Sequence, residues 1–170
     1  MRRWRWLALG CVGAVALALG CSKSKRGGGA SAGGAQPTPD AVFKGFMKAM
    51  SDGDGELAAT FYLSDEQIDA ALEPGGDCNP KLELRRARDK TRSMAKEIKA
   101  EGGALEFLRG SGQEQQVTKG QNFEGCTAKM DFTISNYDVE FAQKKGAERK
   151  ERKTNKMVVK LADGWYLADD

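Results

Sequence analysis

Apolar residues in this chain repeat at two periods, and the change from one to the other falls near Gly103. Phe43, Phe46, Met47 and Met50 stand at i, i+3, i+4 and i+7, which predicts a helix with one apolar stripe. Thr38 suits its N-cap, Pro39 its first position and Asp40 the positive end of its dipole. Ser51-Asp52-Gly53-Asp54-Gly55-Glu56 breaks that helix with turn residues. A short helix follows over Glu56 to Phe61, with Leu57 and Phe61 four apart, and Ser64-Asp65-Glu66-Gln67 forms a capping box that opens another, burying Ile68, Ala71 and Leu72. Glu73-Pro74-Gly75-Gly76-Asp77 ends it. Asn79-Pro80 then starts a helix of about 22 residues that stops at Gly102-Gly103. Leu84, Ala87, Thr91, Met94, Ala95 and Ile98 form its inner stripe. Arg85, Arg86, Arg88, Lys90 and Arg92 share the other faces with Glu83, Asp89, Glu97 and Glu101, the pattern of a solvated, salt-bridged surface.

Beyond Gly103 the period is two. Leu105 and Phe107 start a strand, Gly110-Ser111-Gly112 is expected to turn the chain, and Glu114 to Thr118 reads as a weaker strand. Cys126, Ala128, Met130, Phe132 and Ile134 share one face of the clearest strand. The apolar phase then shifts to Tyr137, Val139 and Phe141, which predicts a bulge near Ser135-Asn136. From Lys144 to Lys156 the chain is expected to form a charged hairpin tip. Met157, Val159 and Leu161 alternate after it, Asp163-Gly164 makes a tight turn, and Trp165 and Leu167 close a last strand. Helices first and an antiparallel meander afterwards predict an α+β domain over residues 38–170, its N-terminal helices packed on a curved sheet of about four strands.

The first residues set an address. Basic Met1 to Arg5 precedes an apolar run from Leu7 to Leu19, and no charge falls between Arg5 and Lys23, a span just short of the roughly 20 residues that cross a bilayer. This is the order of a cleaved export signal, residues 1–20. Its end, Leu17-Ala18-Leu19-Gly20-Cys21, resembles the lipobox of bacterial lipoproteins, although that family prefers Leu and then a small residue where Ala18 and Leu19 stand here. The resemblance implies acylation of Cys21, with palmitate-type chains giving durable attachment to a membrane. Ser22 after the cysteine implies, by the same resemblance, release to an outer membrane, facing the periplasm. The same five letters end at Cys11, but too few apolar residues precede it. Residues 21–37 are rich in Gly, Ser and Ala and form a flexible tether.

Cleavage changes the charge balance. Of 27 basic residues, Arg2, Arg3 and Arg5 leave with the signal, so 24 face 24 acids; Lys23, Lys25 and Arg26 lie in the tether, which leaves the domain at a net of minus three. No global basic footprint for nucleic acid survives. With Cys11 removed and Cys21 acylated, Cys78 and Cys126 remain in an oxidising compartment, as a disulfide or as two core thiols. A bridge closing that loop is worth on the order of 4 kcal/mol. The chain holds no His to activate a catalytic thiol.

Local chemistry is sparse. The acids of residues 51–56 miss the calcium-loop pattern, because Leu57 and Leu63 stand where Gly and Glu are required; no motif implies a metal or a cofactor. The 144–156 segment carries Lys144, Lys145, Arg149, Lys150, Arg152, Lys153 and Lys156 against Glu148 and Glu151, a local surplus that suits an anionic surface. No aromatic residue is interleaved for stacking on bases. The opening helix with Asp52-Gly53-Asp54, together with the closing Met157-Val158-Val159-Lys160-Leu161 and Asp163-Gly164-Trp165-Tyr166, is similar to the cone-shaped fold of nuclear transport factor 2 and its relatives. That resemblance implies an apolar interior that serves enzymes, such as isomerases and dehydratases, as well as binding modules. An enzyme needs a carboxylate or His beside a donor inside the cone. Asp131 has the wrong parity, and Tyr137 and Asp138 lie beyond the expected bulge. The expectation is a lipid-anchored, non-catalytic module for a small apolar ligand or an envelope protein partner, with membrane or surface-polymer contact through residues 144–156 as the alternative.

Overall fold

Local capping chemistry sets the four helices of the described residues. The structure is a computed structural model that describes residues 33–75 and 78–168; the expected export signal, Cys11, Cys21 and the expected tether before residue 33 lie outside the described residues. Helix α1 spans Pro39–Asp52, with the Thr38 side chain accepting from the Ala41 N–H and Gly53 closing it at φ 72°. Asp54 caps α2 (Gly55–Ala59) by accepting from Leu57 N–H. The capping box of α3 (Asp65–Ala71) is complete: Ser64 Oγ accepts from Gln67 N–H and Gln67 Oε1 accepts from Ser64 N–H. Helix α4 runs Pro80–Ala100 from an Asn79 cap. Each cap satisfies an N–H that the first helical turn leaves without a partner.

The strands are β1 (Leu72–Glu73), β2 (Gly103–Val117), β3 (Asn122–Phe123), β4 (Cys126–Ala128), β5 (Phe132–Lys145), β6 (Glu148–Leu161) and β7 (Gly164–Leu167). The main sheet has the order β2-β5-β6-β7, antiparallel throughout and curved, so the helices precede a four-stranded sheet as expected. A second sheet, β1-β4-β3, was not foreseen. The outer edge of β7 is taken up on both sides of Tyr166: Leu167 exchanges backbone hydrogen bonds with Phe61 and Leu63, and Trp165 with Gln36. Covering the edge removes a row of unpaired backbone groups.

Four expectations about strands need correction. Gly110-Ser111-Gly112 does not turn the chain, because β2 runs through it. Gly110 and Gly112 lie beneath the Tyr137 ring, where any added Cβ would collide with it; the glycines make room for an aromatic rather than for a turn. The strand read from Cys126 to Ile134 is two strands in two sheets, with Lys129–Asp131 between them. The bulge lies in β2 between Phe107 and Arg109, while β5 keeps continuous register through Ser135 and Asn136. The phase shift in β5 has another cause, since Phe132, Thr133, Ile134 and Ser135 are all buried. Finally, the charged segment is no loop tip: only Gly146 and Ala147 separate β5 from β6, and residues 148–156 are strand.

The core joins α1 to the sheet. Val42, Phe43, Met47 and Met50 of α1 are buried with Val139, Val158 and Leu167. Ser51 fastens the end of α1 to β2, donating to Leu105 O at 3.2 Å and accepting from Leu105 N–H at 2.7 Å. In α4, Leu84, Ala87, Thr91 and Ala95 are buried as the stripe predicts, but Met94 is 40 % exposed.

Candidate functional site

Successive residues of a strand face opposite sides, so β5 presents two chemistries. Tyr137 stacks on Phe43 with centroids 5.7 Å apart, and Phe107 of β2 stacks on the same ring at 6.4 Å. This fixes the face of Thr133, Ser135, Tyr137, Val139 and Phe141 as the one beneath α1. Between this face, α1 and α4 lies a hollow of about 310 Å³. Helix α1 contributes Phe43, Phe46, Met47 and Met50, α4 contributes Lys90, Thr91 and Met94, and the strands contribute Leu105, Phe141, Thr154, Lys156 and Leu167. Tyr62 closes one side, edge-on to Phe46 at 5.9 Å.

The polar groups of the hollow are few. Thr91 Oγ1 donates to Tyr62 Oη at 3.3 Å, both residues being buried. Lys90 and Lys156 supply cations, and among the described residues no carboxylate belongs to the lining. The nearby acid–phenol pair is turned elsewhere. Tyr137 Oη donates to Asp40 at 2.7 Å, and burial first, then that hydrogen bond, pushes the phenol up to about 12. Neither residue lines the hollow. Tyr166 is likewise pushed up to about 12, by burial and then by its hydrogen bond to Asp163. Such phenols keep their protons at neutral pH and act as donors, not bases.

The opposite face of the sheet bears a second concavity, a cleft of about 630 Å³. Leu63, Ile68, Leu72, Leu84, Phe123, Phe132, Met157 and Val159 form its apolar part, with Glu83, Arg86, Glu124 and Asn136 also lining it. Cys78 and Cys126 belong to the same wall and lie at disulfide distance, Cα to Cα 5.5 Å. The cross-link spans the residue before the Asn79 cap and strand β4, in the small sheet rather than the main one.

The basic residues of 144–156 do not converge. Register puts Lys144, Arg149 and Lys153 on one face of the β5–β6 hairpin and Lys145, Lys150, Arg152 and Lys156 on the other. Lys144 pairs with Glu106 at 2.7 Å, Lys145 with Glu101 at 2.8 Å, Arg149 with Glu151 at 2.8 Å, Lys150 with Glu148 at 2.8 Å and Lys153 with Glu140 at 2.6 Å. Arg152 has no such acidic partner among the described residues. Lys156 points to the hollow. Cys21 lies outside the described residues. Among the described residues no cluster of three or more His, Cys, Asp or Glu is placed to hold a metal, and no helix is long and apolar enough to cross a membrane.

Most of the hollow's lining is visible in the sequence only as core stripes, because an apolar position that fills a core and one that faces a void read alike. Tyr62, Thr154 and Lys90 carry no such signal. Their convergence depends on how α4 crosses the sheet. Comparison of the chain with protein-family models gives no match. Comparison with curated proteins gives none either.

Proposed function

We propose that this chain is a lipid-anchored envelope protein whose domain binds a small apolar ligand, without catalysing a reaction on it. The hollow between α1, α4 and the sheet carries the reading: aromatic and methionine side chains line it, and its described lining supplies no carboxylate or imidazole to move a proton. Its place between helices and a curved sheet fits the interior of a nuclear-transport-factor-2-like cone. Cys21 supplies the anchor and residues up to 37 the tether, on the outer membrane and facing the periplasm. Contact of the 144–156 hairpin with an anionic surface has less support, since its cations are split between two faces and mostly paired.

Two experiments test this. Metabolic labelling with palmitate should mark the wild-type chain and lose both label and membrane retention in Cys21→Ser; an unchanged label removes the anchor. Native mass spectrometry of the chain from Ser22 onward, purified without detergent, should show a retained small molecule or stoichiometric uptake of an added apolar one. A protein that stays bare against every apolar compound contradicts the binding role.

A further inference from the structure

We infer that the outer edge of β2 takes an extended segment of a partner protein as an added antiparallel strand of the main sheet. This concerns a different part of the molecule from the hollow and does not rest on the apolar-ligand reading. The two outer edges of the main sheet are finished differently. On the β7 side, Gln36, Phe61 and Leu63 bond the backbone of Trp165 and Leu167. Where β6 runs on past β7, it carries charge at seven of the nine residues from Glu148 to Lys156. Covering and charge both guard an edge against strand pairing. On the β2 side Ser51 holds both backbone groups of Leu105, and among the described residues no other hydrogen bond reaches that edge.

The ladder decides which groups the edge offers. Leu105 turns its N–H and C=O outward to Ser51, so Gln143 opposite it also turns away from β2, and the even-numbered residues of β5 bond β2. β5 keeps that alternation, so Arg109, Ser111, Gln113 and Gln115, opposite Glu140, Asp138, Asn136 and Ile134, bond inward. The bulge after Phe107 has switched the parity of β2, and Gly110, Gly112, Glu114 and Gln116 direct their N–H and C=O outward. Residues 111–116 are all exposed, and 110–116 hold two glycines, no proline and a single charge, Glu114. An edge of this composition has none of the usual guards and is a template for an extended peptide.

Side chains define the occupant. Gly110, Gly112 and Glu114 lie on the α1 side of the sheet, opposite Val139, Tyr137 and Ser135. The Tyr137 ring lies over both glycines and so reaches across β2 toward an added strand. Partner side chains opposite Gly112 and Gly110 meet that ring and are apolar. Glu114 is exposed and has no ion pair among the described residues, so the partner residue opposite it is basic. From N- to C-terminus the antiparallel partner therefore reads basic, any, apolar, any, apolar. A second copy of β2 does not supply this: self-pairing centred on Gly112 or Gln113 sets glycine or Glu114 against Gly112, and centring on Glu114 opposes two carboxylates.

The test uses the isotope-labelled full chain in detergent micelles and three short peptides, capped at both ends and flanked by serine. Their cores are lysine-threonine-valine-threonine-valine, the same with glutamate for lysine, and the same with glycine for both valines. Amide exchange followed by NMR should find Gly110, Gly112, Glu114 and Gln116 fast and Ser111, Gln113 and Gln115 slow in the free chain. The lysine peptide should bind saturably and slow the four fast amides at least roughly tenfold. The glutamate peptide should bind about threefold more weakly and the glycine peptide about tenfold more weakly. Glu114→Lys should reverse the preference between the lysine and glutamate peptides. Glu114→Pro, whose missing N–H faces outward, should abolish binding while the melting temperature stays within a few degrees. Binding that ignores either substitution, or that is absent for all three peptides, overturns the inference. Edge amides already slow in the free chain overturn it too, a second copy being the occupant where the mass is that of a dimer.

Discussion

The two faces of the main sheet are built by the same strands and use opposite means. Beneath α1, Phe43 lies between the stacking partners Tyr137 and Phe107, and the contact there is apolar. On the other face, beyond Asn136, charges run across three strands: Glu140 on β5 accepts Arg109 of β2 and Lys153 of β6, each at 2.6 Å. Apolar burial holds the first face in one arrangement. Exposed ion pairs contribute little to stability and keep a broad β-surface soluble and in register. The first face holds the hollow proposed as the binding site, and the other holds, beside its ion pairs, the cleft lined by Phe132, Met157 and Val159.

The largest separation of the two faces should come from Phe43→Ala, which removes a buried ring and both of its stacking contacts at a cost of about 3–5 kcal/mol. Urea unfolding measures it; a loss under about 1 kcal/mol would mean that α1 is not the organising contact. Next is the Cys78→Ser, Cys126→Ser double variant, expected to lose about 2–5 kcal/mol if the pair is oxidised. Equal stability of wild type with and without reductant contradicts the bridge. Gly110→Ala should cost about 1–3 kcal/mol by overpacking against Tyr137. A stabilising effect, as expected of an ordinary strand glycine, would show that Tyr137 is not seated there.

These effects bear on what was legible beforehand. Helix starts were, because each cap is a contact three residues long: Thr38 with Ala41, Ser64 with Gln67, Asn79 with Leu82. The course of β2 was not, because Gly110 and Gly112 take their meaning from a ring more than 20 residues later. Cys126 lies at disulfide distance from Cys78 as expected, yet its strand left the main sheet at Lys129. The charge of residues 144–156 was plain, but its division between two faces follows from a two-residue turn that sequence alone did not locate. Of the hollow, the apolar stripe of α1 was read correctly and the void beneath it was not.

pH provides the smallest and sharpest contrast. On the covered face the Tyr137 pKa is raised from 10.0 to about 12, so its contribution is complete below pH 10 and is lost as pH climbs toward 12. Tyr137→Phe should flatten part of the alkaline decline in stability, with Tyr166 retaining the rest. On the charged face the Arg109 hydrogen bond first, and the Lys153 one second, lower Glu140 from 4.5 to about 2. Its contribution is present above pH 4.5 and is lost as pH falls toward 2. Glu140→Gln should therefore lack that contribution at pH 7, small because the pairs are exposed, and lose less as pH falls, so that the two proteins converge toward pH 2; a large loss at pH 7 would make the charged face a structural element in its own right.

Titration with the neutral, polarity-sensitive dye Nile red shows whether the covered face keeps an accessible apolar hollow. The chain from Ser22 onward should show one saturable site with blue-shifted emission, and Met94→Trp, which adds bulk at the exposed wall, should abolish it while the melting temperature stays within a few degrees. Non-saturable binding, or equal binding by the variant, would mean that the hollow is not the site.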